Sequence, residues 1–426
     1  MLSQLGHVMM GVTDSIMVGH VNATALAAAS LSNVAFNVLL LFGIGVSYAI
    51  TPLVAEADGE QDTERIIKIM RHGLVINIAT SLLLVAAVTI SKNLLYKIDQ
   101  PVEVVNLAIP YLNIVTLSLI PILIFQSFKQ FAEGLSRTRV AMIVVIVANV
   151  VNIVLNYFFI YGKAGLPAMG LNGAAWATFI SRIFMALFIG GYIFYEPSFK
   201  KFRGLFRIQV YSKKIFSKML HIGIPAGAQF IFEVAAFDFS AVMMGWLGSK
   251  TLAAHQIAIN LATVSYMITS GLAAAATIRV GYFLGQKDHR NLKAATYTLL
   301  AMALCIMSLW AIVFIAGKNF FPTLYVNDMD VVSIATPLLI IAGLFQLADG
   351  AQVVCVGALR GLQDVKIPSL FIFIAYWIIG LPLGYWLGFK MGYGAAGIWS
   401  GLFIGLMVAA AAMFFRLQLM LNRLLK

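Results

Sequence analysis

Residues 17–62, MVGHVNATALAAASLSNVAFNVLLLFGIGVSYAITPLVAEADGEQD, return without a gap as residues 243–288, MMGWLGSKTLAAHQIAINLATVSYMITSGLAAAATIRVGYFLGQKD. At this offset Gly19, Leu26, Ala27, Ala28, Gly45, Ala49, Thr51, Val54, Gly59 and Asp62 meet Gly245, Leu252, Ala253, Ala254, Gly271, Ala275, Thr277, Val280, Gly285 and Asp288. One residue further along, Pro110 falls on Pro337 and the turn Gly134-Leu135 on Gly361-Leu362. Shared composition would match leucines, whereas glycines and aspartates matched at the ends of apolar runs mark a duplicated unit. With an even number of spans in each copy, both copies enter from the same side, as parallel repeats about an axis along the membrane normal.

The runs between these punctuation marks decide the solvent. Of 426 residues, 61% are hydrophobic and 11% charged, and the mean hydropathy is +0.92, far from the half-apolar, quarter-charged makeup of soluble domains. The runs are about 20 residues long and continuously apolar, which suits helices crossing a hydrocarbon layer and not the alternating strands of a barrel. Spans are expected at 1–21, 27–55, 66–91, 102–128, 140–161, 171–195, 219–247, 252–278, 294–317, 331–358, 367–389 and 394–415. The expected fold is therefore all-α, with about twelve transmembrane helices in two six-helix bundles: a lobe at 1–195, a basic connector at 196–218 and a lobe at 219–426.

A formal charge of +12 could suggest nucleic acid, but the basic residues lie in alternate loops and not on one patch. One set holds Arg65, Lys68 and Arg71, then Lys129, Arg137 and Arg139, the cluster Lys200 to Lys218, the group Arg279 to Lys293, Arg360 and Lys366, and Arg416, Arg423 and Lys426. The other holds only Lys92, Lys97, Lys163, Lys250, Lys318 and Lys390, with Arg182 inside a span. The positive-inside rule puts the basic side and both termini in the cytoplasm of a bacterial-type inner membrane. Residues 196–218 then read as a solvated linker facing lipid headgroups. Cys305 and Cys355 lie in apolar runs at no zinc spacing and read as core residues. Met1 has no charged region after it, so no cleavable signal is expected. Because Pro225 aligns just before Met1, the approach Lys213–Pro225 has no counterpart, and a start truncated relative to a longer reading frame is expected.

Of the seventeen acidic residues, only Asp14, Glu233, Asp238 and Asp349 fall well inside expected spans. A carboxylate at the bilayer centre costs at least ~2.5 kcal/mol on insertion scales, so each needs a partner or a task. Gln229, Glu233 and Ser240 share one side of a helix, and Gln346, Asp349 and Gln352 share another. Ser3, His7, Met10 and Asp14 share a face of the first span, and Asn149, Asn152 and Asn156 a face of the fifth. Asp238, five residues past Glu233, should face elsewhere and matter little. The repeat sets Glu233 against His7 and Asp14 against Ser240, so the second lobe, with two converging acids, is the better site for a small cation. Such acids can exchange a proton, or their oxygens can replace the water shell of Na+. These alternatives stand level.

The segments Met10–Gly19 (MGVTDSIMVG), Phe232-Glu233-Val234, Ala253-Ala254-His255-Gln256, Ile278-Arg279-Val280-Gly281, Asn152–Tyr157 (NIVLNY) and Asp349–Gln352 through Leu359-Arg360-Gly361 together resemble the multidrug and toxic compound extrusion (MATE) family, in its NorM-like branch. The resemblance runs over nearly the whole chain. It implies a V-shaped pair of six-helix bundles, driven by Na+ or protons and exporting cationic amphiphiles, with no cofactor beyond the coupling ion. It further implies that Asp14 is the first-lobe acid, that Glu233 and Asp349 are second-lobe cation ligands with Na+ as one candidate ion, and that Asn152 and Asn156 are the polar pair beside Asp14. One position departs: Phe345 stands where sodium-coupled members carry a tyrosine, and it offers no oxygen.

The expected function is antiport by a carrier working as a monomer in the lipid bilayer, with Gln229, Gln346 and Gln352 as supporting polar groups and Tyr376 and Trp377 as substrate contacts. A flippase for a lipid-linked intermediate is the rival, but it would need cations to meet phosphate, and only Arg182 lies within a span. An enzyme is not expected, since His7, His20, His72, His221, His255 and His289 are scattered without a catalytic set. The paired-lobe repeat disfavours a channel.

Overall fold

The computed structural model describes residues 2–97, 101–163, 165, 167–206 and 211–424, without the side chains of 2–9, 12 and 206. The helices are α1 (Leu2–Gly19), α2 (Ala23–Ser47), α3 (Ile50–Gly59), α4 (Thr63–Ser91), α5 (Val102–Leu117), α6 (Leu119–Gly134), α7 (Thr138–Tyr161) and α8 (Gly170–Tyr195). After a connector follow α9 (Lys213–Trp246), α10 (Ser249–Gly285), α11 (His289–Ala316), α12 (Met329–Gly361), α13 (Lys366–Phe373), α14 (Leu381–Tyr385) and α15 (Gly394–Leu424). Eleven segments among the described residues are long and apolar enough to cross a membrane, and α1 precedes them. No strand occurs among the described residues. The chain is a multi-pass helical membrane protein.

The duplication reappears in the bounds and turns of the helices. The spans Ala23–Gly59 and Ser249–Gly285 start and stop at repeat-related residues, as do Val102–Gly134 and Met329–Gly361. Gln61, Ser136, Lys287 and Gln363, the non-glycine residues with positive φ among those described, form two repeat-related pairs at 58° to 63°. Each is the left-handed residue of a Schellman ending: Asp62 N–H donates to Ala57 O and Asp288 N–H to Phe283 O, while Arg137 N–H donates to Ala132 O and Asp364 N–H to Leu359 O. The next helices open alike, with Asp62 capping Arg65 N–H and Asp288 capping Asn291 N–H.

Packing repeats too. Thr51 donates to Gln130 O at 3.2 Å and Thr277 to Gly357 O at 2.8 Å, two inter-helix bonds at matching places. A Cβ on Gly134 would stand 2.9 Å from Val54, and one on Gly361 2.8 Å from Val280 and from Thr277 O. Small residues permit this approach, and buried hydroxyls find carbonyls because lipid offers no alternative.

The copies diverge in continuity. Chain corresponding to the unbroken α10 is split at Tyr48–Ala49 into α2 and α3, and chain corresponding to the unbroken α12 is split at Ser118 into α5 and α6. In the second half, π-helical turns at Ile374–Gly380 and Trp386–Lys390 flank α14. They lie against the glycine stripe of α15, where a Cβ on Gly401 would stand 2.2 Å from Gly384 N.

The connector is less solvated than a linker facing headgroups would be. Pro197–Phe206 forms a 3-10 helix whose Phe199, Phe202 and Leu205 are buried, with Phe199 and Phe202 stacked on Phe131. The buried Arg71 side chain donates to the carbonyls of Gly204 and Leu205. An apolar residue every third position, Phe199, Phe202 and Leu205, between exposed Lys200, Lys201 and Arg203, gives one face of this turn something to bury. The chain folds as two compact units, Met1–Gly227 and Ala228–Lys426, with the boundary inside α9.

Candidate functional site

In the first unit, α1, α7 and α8 converge on Asp14, which is only 8% exposed. Asn156 Nδ2 donates to Asp14 Oδ1 at 2.6 Å, and Thr178 Oγ1 donates to Oδ2 at 2.7 Å. Asn156 also reaches Asn152 Oδ1 at 3.2 Å, and Asn152 reaches Thr178 at 3.5 Å. The sequence pairing of Asn152 and Asn156 with Asp14 is thus met in space. Asn156 Oδ1 is buried with no partner among the described residues. Asn149, on the same face by periodicity, donates to Val145 O of its own helix. The side chains of Ser3 and His7 lie outside the described residues.

Thr178 is a site residue that the sequence reading misses. It and Arg182 are one helical turn apart on α8, a polar i, i+4 pair that could have marked it. Arg182 Nη1 donates to Ser118 Oγ at 2.5 Å, and its guanidinium lies 4.8 Å from the centroid of the Phe36 ring.

In the second unit, Glu233 of α9 and Asp349 of α12 interact electrostatically, and both interact with Tyr376. Gln352 joins the two helices to the π-helical turn: its Nε2 donates to Glu233 Oε1 at 3.0 Å, and its Oε1 accepts from the Tyr376 hydroxyl at 3.2 Å. Asp349, Gln346, Gln352 and Gln229 are buried, while Glu233 is partly exposed. Gln346 Oε1 accepts from Ser265 at 2.7 Å. Gln229 Oε1 and Gln346 Nε2 are buried without partners among the described residues. An oxygen acceptor with no donor, close in sequence to Glu233, is the kind of group a small cation or a water can satisfy.

Tyr376 is fully buried and its hydroxyl is taken up by Gln352; Trp377 is partly exposed and donates to Phe232 O at 2.9 Å. Widening a helix by one residue per turn re-aims neighbouring side chains, and such turns gather at functional sites. Phe345 is buried between Phe237 and Trp399, with ring centroids 6.0 Å and 6.1 Å away. His255 accepts from Trp399 Nε1 at 3.1 Å in the same core. Ser240, the repeat partner of Asp14, is buried and donates to Phe237 O on its own helix. Asp238 is exposed, turned away from Glu233 as its spacing requires.

Fold and site together define a multi-pass membrane protein of two duplicated helical lobes, each with acidic groups sheltered among amides and hydroxyls. The MatE family model matches residues 1–158 and again 225–386, once in each half. A probable multidrug resistance protein NorM of Agrobacterium fabrum is 35% identical over 100% of this chain and 92% of its own length. Multidrug resistance protein MdtK of Yersinia pseudotuberculosis is 34% identical over 98% and 92%. The crystal structure of MATE in the bent conformation superposes with a TM-score of 0.91 at 19% identity, covering 99% of this chain and 93% of that one. This chain belongs to the MATE family.

Proposed function

We propose that this protein is a secondary active antiporter that exports organic cations in exchange for Na+ or H+, with Glu233 and Asp349 as the coupling site. The reading rests on one observation above all: Gln352 ties Glu233 of α9 to the buried Tyr376, and Asp349, itself buried, stands one turn before Gln352 on α12. An ion held there can bias the protein between two states only by binding one of them more tightly, and Glu233 Oε1, the Asp349 oxygens and the orphaned Gln229 Oε1 give it oxygens to bind. Asp14 has the secondary role, its oxygens already occupied by Asn156 and Thr178.

The names of the relatives, NorM and MdtK multidrug resistance proteins, support drugs as cargo, and cationic amphiphiles suit an acidic interior. The same acidity disfavours a flippase, which has phosphate to meet. The basic loops support an inner-membrane protein with both termini in the cytoplasm. Trp377, partly exposed beside this network, is the better substrate contact of the aromatic pair.

Efflux of ethidium or a fluoroquinolone from proteoliposomes, with sodium and pH gradients imposed separately, tests the reading. One of the gradients is expected to drive export by the parent, and neither to drive it in Glu233→Gln or Asp349→Asn. Export by both variants at the parental rate would remove the site assignment, and export indifferent to either gradient would remove antiport.

A further inference from the structure

The connector between α8 and α9 turns cations outward and leaves them without acids. Lys200, Lys201 and Arg203 on the 3-10 helix, and Lys213 and Lys214 at the start of α9, are exposed, and among the described residues none of them makes an ion pair. Arg65, Lys68, Lys129 and Lys218 of the same unit do pair, with Glu56, Glu60, Glu64 and Glu133. The contacts of the connector cations do not neutralise them. Lys201 Nζ lies 4.9 Å from the centroid of the Phe202 ring, and Arg203 Nε donates to Phe194 O at 3.2 Å. Asp58 interacts electrostatically with Lys201 but also with Arg137, so the patch stays positive.

This patch is held in place from below. Phe199, Phe202 and Leu205 bury one side of the 3-10 helix, and residues three apart share a face in such a helix, so Lys200 and Arg203 stand together on another. Two consecutive residues of α4 then grip the connector at both ends. Arg71 donates to the carbonyls of Gly204 and Leu205, and His72 Nε2 accepts from Ser212 N–H at 2.9 Å, which leaves Nδ1–H to donate to Lys68 O at 2.7 Å. The His72 ring also packs on Tyr211 and Phe216, with centroids 5.2 Å and 4.6 Å away. The grip draws the two groups of cations to one place at the end of α4. A linker that served only to span the lobes would need neither the buried underside nor this grip.

The surroundings indicate which anion fits. Phe194 and Tyr195, at the end of α8, and Tyr211 are exposed, and aromatic rings at the ends of spans lie at headgroup level. The cations cover an open face and not a cleft, as suits a layer of headgroups. We propose that the gripped connector is a seat for anionic phospholipid, with Lys200, Lys201, Arg203, Lys213 and Lys214 meeting its phosphate. The seat is independent of the transported ion and cargo.

Native mass spectrometry of the purified full-length protein, titrated in detergent with phosphatidylglycerol or phosphatidylcholine, reads the affinity for the first lipid retained. The parent is expected to prefer phosphatidylglycerol, and each cation removed should weaken that lipid roughly fivefold. The variant carrying Lys200→Gln, Lys201→Gln and Arg203→Gln should therefore lose the preference. Arg279→Gln, Lys287→Gln and Arg290→Gln together, an equal loss of charge from exposed positions of the second unit, should leave it intact. Equal losses in the two triple variants, or no preference in the parent, overturn the proposal. Excess inorganic phosphate should not displace the lipid; displacement would make this a free-phosphate site and overturn the lipid seat. Thermal unfolding in phosphatidylcholine checks that each variant is folded. Should the connector triple variant be unfolded, Lys200→Gln and Arg203→Gln singly carry the test, and parental affinity for phosphatidylglycerol in both overturns it.

Discussion

In the first lobe the chain breaks at Ser118 and moors Arg182 on the break; at the repeat-related place in the second, Phe345 sits inside a continuous α12, with Asp349 one turn further along. Asp14 has both oxygens hydrogen-bonded by uncharged donors, whereas Glu233 accepts from Gln352 alone among the described residues and Asp349 stands one turn away from that residue on α12. The frames share their left-handed turn residues and the bonds from Thr51 and Thr277 between helices. What differs is the set of charges each frame encloses: Asp14 and Arg182 in the first lobe, Glu233 and Asp349 with Arg360 in the second.

The comparison can be broken most severely at the acids. Export by Glu233→Gln or Asp349→Asn should fall at least about tenfold, the factor that corresponds to ~1.4 kcal/mol of lost differential binding, with normal membrane insertion as the control. Comparable losses from Asp14→Asn would erase the contrast between lobes.

Next come the close helix approaches. Gly401→Ala should be the most destabilising of the glycine changes, because its Cβ would meet the backbone of Gly384 and not a movable side chain. Gly134→Ala and Gly361→Ala, which press on Val54 and Val280, should each cost about 1–3 kcal/mol and do so equally, as judged by thermal unfolding in detergent.

A finer asymmetry concerns the paired threonines. Each hydroxyl has a single proton, which Thr51 shares between Gln130 Oε1 at 2.5 Å and Gln130 O at 3.2 Å, and Thr277 between Gly357 O at 2.8 Å and Ala273 O at 3.1 Å. Thr51→Val should lower the melting temperature more than Thr277→Val, because it also leaves the buried Gln130 side-chain oxygen without a donor, and equal shifts would mean that this contact counts for nothing.

The smallest effect is expected at the α11 cap. The Asp288 carboxylate is held below its usual range, first by the backbone N–H of Asn291 and then by that residue's side chain. A depressed acid stabilises the fold above its unfolded range and loses that contribution as pH falls through its folded value. Asp288→Ala should accordingly melt slightly lower than the parent at neutral pH, with the difference closing in strong acid.

Much of this is legible in the order of residues. Matched Gly, Asp and Thr positions mark the duplication and the turns that end two span pairs, because turns and close approaches tolerate few residue types. The intramembrane acids are visible because charge is rare there. The role of Thr178 is not, since a threonine in an apolar span commonly bonds its own helix, as Thr89 and Thr263 do. Nor is the burial of Tyr376, because its position depends on a π-helical turn that no apolar pattern announces.

By itself, then, the sequence determined that this chain lives in lipid, that it is built twice over, and which few side chains carry charge into the bilayer; these follow from the cost of placing polar groups in hydrocarbon, which composition and spacing register directly. Tertiary structure alone decided which of those groups meet. Asp14 lies 142 residues from Asn156 and 164 from Thr178, and Glu233 lies 119 from Gln352. Contacts at such separations depend on how whole helices pack and where they break, and neither is written in any local pattern.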